Sequence, residues 1–242
     1  MREGHGNPSL FAIPILCDYC PQAESCMESK KIAPPEVKGY DKAYDLSYQL
    51  ASELLRATPD LDSQCRKAGA ECQTTGRQRR ISLTFLAREH SIRLPDIDVV
   101  VSGSSEPVQL RDKLLILHYF NTSKGTPPTG KPVTFRELPA GPVYFPTYTK
   151  RAIKPIVDAF GKEPERIVAA AAKLGGRKGD VGDASAIIDV FPRVAITYVL
   201  WAGDEELPPQ GNILYDANIP DYLPTEDITV LTESITWRMV RS

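Results

Sequence analysis

The segment Ile81-Ser82-Leu83-Thr84-Phe85, resumed after a short break by Ser91-Ile92-Arg93-Leu94, decides the class of fold. Apolar and polar residues alternate through both pieces. A period of two puts Ile81, Leu83 and Phe85 on one face of a strand and Ser82 and Thr84 on the other. Two such runs in close succession predict a hairpin with one face against a core. Asp98 to Val101 adds a short extended segment behind it.

Upstream of the hairpin the spacing changes. Tyr40, Ala43, Tyr44, Leu46, Leu50, Ala51, Leu54 and Leu55 recur at three and four residues, which predicts an amphipathic helix. A shorter helix is expected over Pro59 to Ala68, with Gly69 as its stop. Downstream, Pro107 to Tyr119 reads as a helix with Leu110, Leu114 and Leu117 on one face. Strand composition returns in Val133 to Leu138, Ala186 to Val190, Ala195 to Trp201 and Ile213 to Tyr215. Helices are expected over Thr147 to Phe160 and Pro164 to Leu174. Thr225, a suitable N-cap, opens a last amphipathic segment. Strands and helices do not alternate regularly, so the expectation is an α+β fold with a mixed, largely antiparallel sheet and several packed helices.

The chain has 242 residues, 42% hydrophobic and 25% charged, enough for one sizeable core without disulfides or metals. Its 29 Lys and Arg against 31 Asp and Glu leave no global field for nucleic acid or an anionic membrane. No apolar run approaches the roughly 20 residues of a membrane span, and no signal-peptide cleavage pattern follows Leu10 to Leu16. The expectation is a cytoplasmic protein that works with a protein partner or a small ligand, without membrane or general nucleic-acid binding.

Residues 1 to 35 are rich in Pro, Gly, Cys and polar residues and end in Ala33-Pro34-Pro35. They are expected to form a cysteine-bearing leader and linker ahead of a single domain over 36 to 242. All five cysteines, Cys17, Cys20, Cys26, Cys65 and Cys72, fall in the first third of the chain. The spacing Cys17-x2-Cys20-x5-Cys26 lets thiolates converge on one metal ion or cluster, with Cys65, Cys72 or His5 as the fourth ligand. The other reading is a set of free thiols, the ordinary state in a reducing compartment.

Several motifs in a fixed order resemble those of one family. Leu114-Leu115-Ile116-Leu117-His118-Tyr119-Phe120 precedes Phe135-Arg136-Glu137-Leu138-Pro139. Then come Gly182-Asp183-Ala184, Phe191-Pro192-Arg193-Val194, Trp201-Ala202-Gly203-Asp204-Glu205-Glu206-Leu207-Pro208, Leu214-Tyr215-Asp216 and Tyr222-Leu223-Pro224-Thr225-Glu226-Asp227. Together they look like the family catalogued as domain of unknown function 3786, over about residues 40 to 231. The resemblance implies a protein of anaerobic metabolism, some of whose relatives carry an N-terminal iron–sulfur module with Cys-x2-Cys-x4-Cys and a more distant fourth Cys. This leader has five residues where that pattern has four. The resemblance favours an Fe–S cluster over zinc.

Within the domain, Asp204, Glu205 and Glu206 follow a strand directly and supply hard oxygen ligands, with Asp216, Asp221, Glu226 and Asp227 nearby in sequence. The alternative is a solvated hairpin tip. Arg136 is a candidate anion anchor and Glu137 a candidate acid or base, unless the two form a structural ion pair. His118, alone in an apolar helix, is a candidate general base or metal ligand, unless it is a packed or surface residue. Gly175-Gly176-Arg177-Lys178-Gly179-Asp180 has the composition of a phosphate loop but lacks the GxxxxGK[ST] order. Two functions follow: an accessory or ligand-binding protein that holds an Fe–S cluster or metal through its N-terminal cysteines, or an enzyme whose cleft combines Arg136, Glu137 and Asp204 to Glu206.

Overall fold

A computed structural model describes residues 41–76 and 78–242. The expected leader, with Cys17, Cys20, Cys26 and His5, lies outside the described residues. Helix α1 (Asp41–Arg56) buries Ala51 and Leu55 and packs against α3 (Leu110–Thr122), where Asn121 Nδ2 donates to the Ala51 carbonyl at 2.8 Å. Helix α2 (Leu61–Ala68) is capped by Asp60, whose carboxylate accepts from Ser63 N at 2.8 Å, and stops at Gly69 with φ +65°. A Cβ on Gly69 would lie 2.9 Å from Pro192 Cβ, so both conformation and space require glycine here.

The predicted hairpin is present as β2 (Gln78–Phe85) and β3 (Arg88–Leu94), antiparallel with Ile81 opposite Ile92. Leu86 and Ala87 form its turn with positive φ at both positions, the backbone shape that matches strand twist. Strands β1 (Glu71–Thr75) and β4 (Asp98–Val101) complete a four-stranded sheet in sequential order. Strand β1 has no sequence signal: its residues, Glu-Cys-Gln-Thr-Thr, are mostly exposed at the sheet edge and show no apolar alternation.

A second, five-stranded sheet is entirely antiparallel, in the order β5 (Pro132–Thr134), β9 (Gln210–Asp216), β8 (Val194–Trp201), β7 (Ala184–Phe191), β6 (Arg177–Lys178). The α+β class is as expected, with two sheets in place of one. The Leu86 amide donates to the Val190 carbonyl at 3.0 Å and ties the first hairpin's turn to β7. Residues of both sheets contribute to one contiguous core.

Three local expectations change. The strand expected over Val133 to Leu138 ends at Thr134, because Phe135 turns into the core and stacks on Tyr148, ring centroids 3.8 Å apart. Residues Phe135–Glu137 then form a 3-10 turn. The helix expected from Thr147 starts earlier, as α4 (Gly141–Tyr148), and runs through a π turn (Thr149–Ile153) into α5 (Lys154–Phe160); α6 (Arg166–Ala172) follows. Pro155 cannot donate to the Arg151 carbonyl, and the ladder shifts so that Lys154 N bonds Thr149 O.

The last helix, α7 (Thr225–Val240), is buried almost all round instead of amphipathic: from Thr225 to Thr236 only Glu226 escapes burial. Its threonines make this feasible. Thr229 and Thr232 donate to the carbonyls four residues back at 2.9 and 2.6 Å, so their hydroxyls are satisfied without water. The N-cap is Pro224, not Thr225, whose hydroxyl donates instead to the Pro139 carbonyl at 2.6 Å.

Candidate functional site

The acidic run after β8 forms the tip of the β8–β9 hairpin. Asp204 Oδ1 accepts from the amides of Glu206 and Leu207 at 2.8 and 2.7 Å, and these amides hold its carboxyl below the usual range. Glu205 and Glu206 beside it are exposed. Asp216 lies at the opposite end of the hairpin, as the pairing of Trp201 with Gln210 and Ile196 with Tyr215 requires. It accepts from Thr129, Gly130 and Asn218. Asp221 binds Lys124 and Thr126.

Arg136 lies over the Phe145 ring, 4.0 Å from its centroid, an exposed cation–π contact. Glu137 folds back on Thr134, accepting from its amide at 2.7 Å and its hydroxyl at 2.9 Å, which lowers its pKa. No hydrogen bond or ion pair joins Arg136 or Glu137 to Asp204, Glu205 or Glu206 among the described residues. The Gly175 to Asp180 segment is also accounted for locally: β6 pairs with β7, Arg177 binds Asp189, and Lys178 lies 3.4 Å from Glu165.

His118 is buried in the core, where its Nδ1 lies 2.7 Å from Asp227 Oδ2 of α7. The partner is 109 residues away, so the pair had no sequence signal. Burial raises the Asp227 pKa, and the His118 hydrogen bond opposes that rise. Cys65 and Cys72 face each other across the α2–β1 turn and interact through their thiols; burial pushes Cys65 up to about 12, and Cys72 is also raised. Among the described residues no three His, Cys, Asp or Glu side chains are placed to hold a metal ion.

A concentration of charge that the sequence did not disclose lies elsewhere. A cleft of about 950 Å³ opens between the β2–β3 turn, the start of α3, the end of α6 and the last turns of α7. Six cationic side chains line it, Arg88, Arg111, Arg151, Lys173, Arg238 and Arg241, against three carboxylates, Glu106, Asp112 and Glu233. Each carboxylate already has an arginine: Arg88 on Glu106 at 2.7 Å, Arg238 on Asp112 at 2.5 Å and Arg151 on Glu233 at 2.7 Å. Asp112 and Glu233 are nine-tenths buried while their arginines remain about one-third exposed toward the opening. Arg151 is presented by the π turn, which gives that widened segment a role in shaping the wall.

His90, opposite Leu83 in the first sheet, also lines this cleft and is buried. Its Nδ1 lies 3.0 Å from the Arg88 carbonyl, which only accepts, so Nδ1 carries the hydrogen. Burial lowers its pKa below the ordinary histidine value, and the neutral ring keeps Nε2 as an acceptor. Trp237, half-buried, adds an aromatic wall with Arg241 above its ring. A smaller cleft of about 640 Å³ lies between the sheets and includes Asp189 and Asp216, whose carboxylates are committed as described.

The family model described as Domain of unknown function (DUF3786) matches residues 60–238. The chain belongs to the DUF3786 family. The DUF3786 match bears out the resemblance read from the motifs. It runs from the cap of α2 to Arg238 and so takes in both sheets and all of the cationic cleft except Arg241. Cys65 and Cys72 fall inside the DUF3786 span, and Cys17, Cys20 and Cys26 precede it. No curated protein and no solved structure matches the chain. No helix among the described residues is long and apolar enough to cross a membrane.

Proposed function

We propose that this protein is an accessory or ligand-binding protein whose cleft between the first hairpin and α7 takes a multiply charged anion. The observation that supports this most directly is the excess of cations. In a chain of net charge −2, six positive groups meet three carboxylates that already hold arginines. A concave, partly desolvated wall of this kind concentrates the field on an anion far more than scattered surface lysines do. Arginine is suited to the task because its planar fork matches the oxygens of a carboxylate or phosphate.

The test uses Trp237 as its own reporter. The chain has two tryptophans, and Trp201→Phe, at the exposed end of β8 and outside the cleft lining, leaves only the one in the cleft. Titration with inorganic pyrophosphate is expected to change Trp237 emission to saturation. Lys173→Gln with Arg241→Gln, two exposed cations outside the ion pairs described above, is expected to weaken binding about tenfold or more. An emission unchanged by pyrophosphate sinks the reading.

The same proposal keeps a place for the cysteine leader, working in the cytoplasm of an anaerobic cell beside a protein partner. Cys17, Cys20 and Cys26 supply three thiols for an Fe–S cluster, and Cys72, the more accessible of the remaining pair, is the better fourth ligand than buried Cys65. Anaerobic purification followed by iron and sulfide analysis tests this clause, and a colourless protein free of iron and of zinc removes it.

A further inference from the structure

Cys72 differs from the rest of its strand. Glu71, Gln73, Thr74 and Thr75 of β1 are exposed, whereas Cys72 is half-buried and packs against the core. The register accounts for its direction: Cys72 lies opposite Ile81, which is fully buried, and residues paired across two strands share a face of the sheet. Cys65, in the second half of α2, is buried in the same core. The stop of that helix brings the two together. Gly69 reverses the chain and the Ala70 amide donates to the Cys65 carbonyl at 2.8 Å, which sets Ala70 beside Cys65. Cys72, two residues further on, projects from the same side of the extended chain as Ala70. The two thiols are in hydrogen-bond contact.

We propose that Cys65 and Cys72 form a reversible disulfide that clamps the edge strand β1 to α2. Cys72, the more accessible thiol, loses its proton and attacks one sulfur of a small-molecule disulfide RSSR, forming a mixed disulfide and releasing RS⁻, which takes up a proton. Cys65 then loses its proton, attacks the Cys72 sulfur and displaces the second RS⁻. Two protein thiols and RSSR thus give one protein disulfide and two RSH. Burial raises both thiols above the ordinary range, Cys65 to about 12, so the reduced pair stays protonated and the exchange is slow at neutral pH. The bond acts where the fold is weakest, because a five-residue edge strand with one inward side chain is the kind of element that opens first. Gly69 and Glu71, between the two cysteines, line the smaller cleft, so the clamp also fixes that wall. It withdraws Cys72 from the leader thiols and is independent of the anion-binding reading.

Peptide mapping tests the pairing, since Arg66 and Lys67 lie between the cysteines and trypsin separates them. The iron-free full chain, reduced and then incubated with glutathione disulfide without denaturant, is expected to yield peptides 57–66 and 68–77 joined as the main disulfide of both cysteines, and dithiothreitol to release them. Hydrogen exchange of the β1 amides is expected to slow about tenfold in the oxidised chain. Cys65→Ala is expected to leave Cys72 as the mixed disulfide with glutathione. Should that variant fail to fold, the mapping of the unaltered chain decides the matter alone. Cys65 and Cys72 recovered mainly free, each joined to glutathione, or joined to leader cysteines overturns the proposal. Exchange of β1 unchanged in a chain that carries the linkage overturns the clamp.

Discussion

At the residue scale the informative groups are those whose burial conflicts with their chemistry. Asp227 is fully buried beside His118, and its carboxyl is raised above the roughly 3.9 of an unfolded chain by that burial. A raised folded value means that its contribution to stability is fully present below the unfolded pKa and is lost as pH rises through the folded one. Asp227→Asn keeps an acceptor for the imidazole and has no such titration. The melting temperature of Asp227→Asn relative to the unaltered protein is therefore expected to improve between pH 4 and pH 7, and a gap constant across that range contradicts the assignment. His118 stood out in the sequence as the odd member of an apolar helix and Asp227 as one of several acids, but their pairing was not legible, because helix contact across 109 residues leaves no local trace. Gly69 makes a simpler case. Its φ of +65° and the 2.9 Å approach of Pro192 Cβ together predict that Gly69→Ala lowers unfolding free energy by roughly 2 kcal/mol, measured by urea denaturation.

At the element scale, α7 is held by a directed chain of hydroxyls. Thr232 donates to Ile228 O at 2.6 Å, so it accepts from Tyr215, whose hydroxyl lies 3.0 Å away. Tyr215 in turn accepts from Tyr148 at 2.6 Å. Tyr148→Phe removes only the outermost donor and is expected to cost about 1 kcal/mol; Tyr215→Phe removes both the donor to Thr232 and the acceptor for Tyr148 and is expected to cost about 2 kcal/mol or more. Equal costs in thermal melts would show that the direction is wrong. This network also explains what was legible. The β2–β3 hairpin showed itself because burial on one face writes a period of two into the residues. The burial of α7 did not, because a threonine counts as polar by composition yet loses that polarity when its hydroxyl bonds its own helix. The 3-10 turn at Phe135–Glu137 was hidden for a related reason: Val-Thr-Phe alternates like a strand until tertiary stacking on Tyr148 takes the aromatic ring.

For the whole molecule, the two sheets share one apolar core and a hydrogen bond between Leu86 and Val190. Scanning calorimetry is accordingly expected to show one cooperative transition, and two resolved transitions would separate the sheets into independent units. The cationic cleft belongs to this scale, since its charged groups come from segments scattered between Arg88 and Arg241 and meet only when the first hairpin, the π turn and helices α3, α6 and α7 are in place. No spacing rule finds such a site. In the motifs that sequence reading favoured, Glu137 and Asp204 accept local backbone hydrogen bonds that shape a turn and a hairpin tip.

The position of α7 in the chain has a consequence for biosynthesis. The helix that fills the centre of the core follows every strand it covers. While the ribosome adds residues at about 5 to 20 per second, the nascent second sheet, whose Tyr198 and Tyr215 bond Thr232 of that helix, waits with part of its inner face bare. Until Thr225–Val240 has emerged, that face is a substrate for chaperones and for aggregation, so a ribosome stalled before that helix releases a sticky chain instead of a shorter protein.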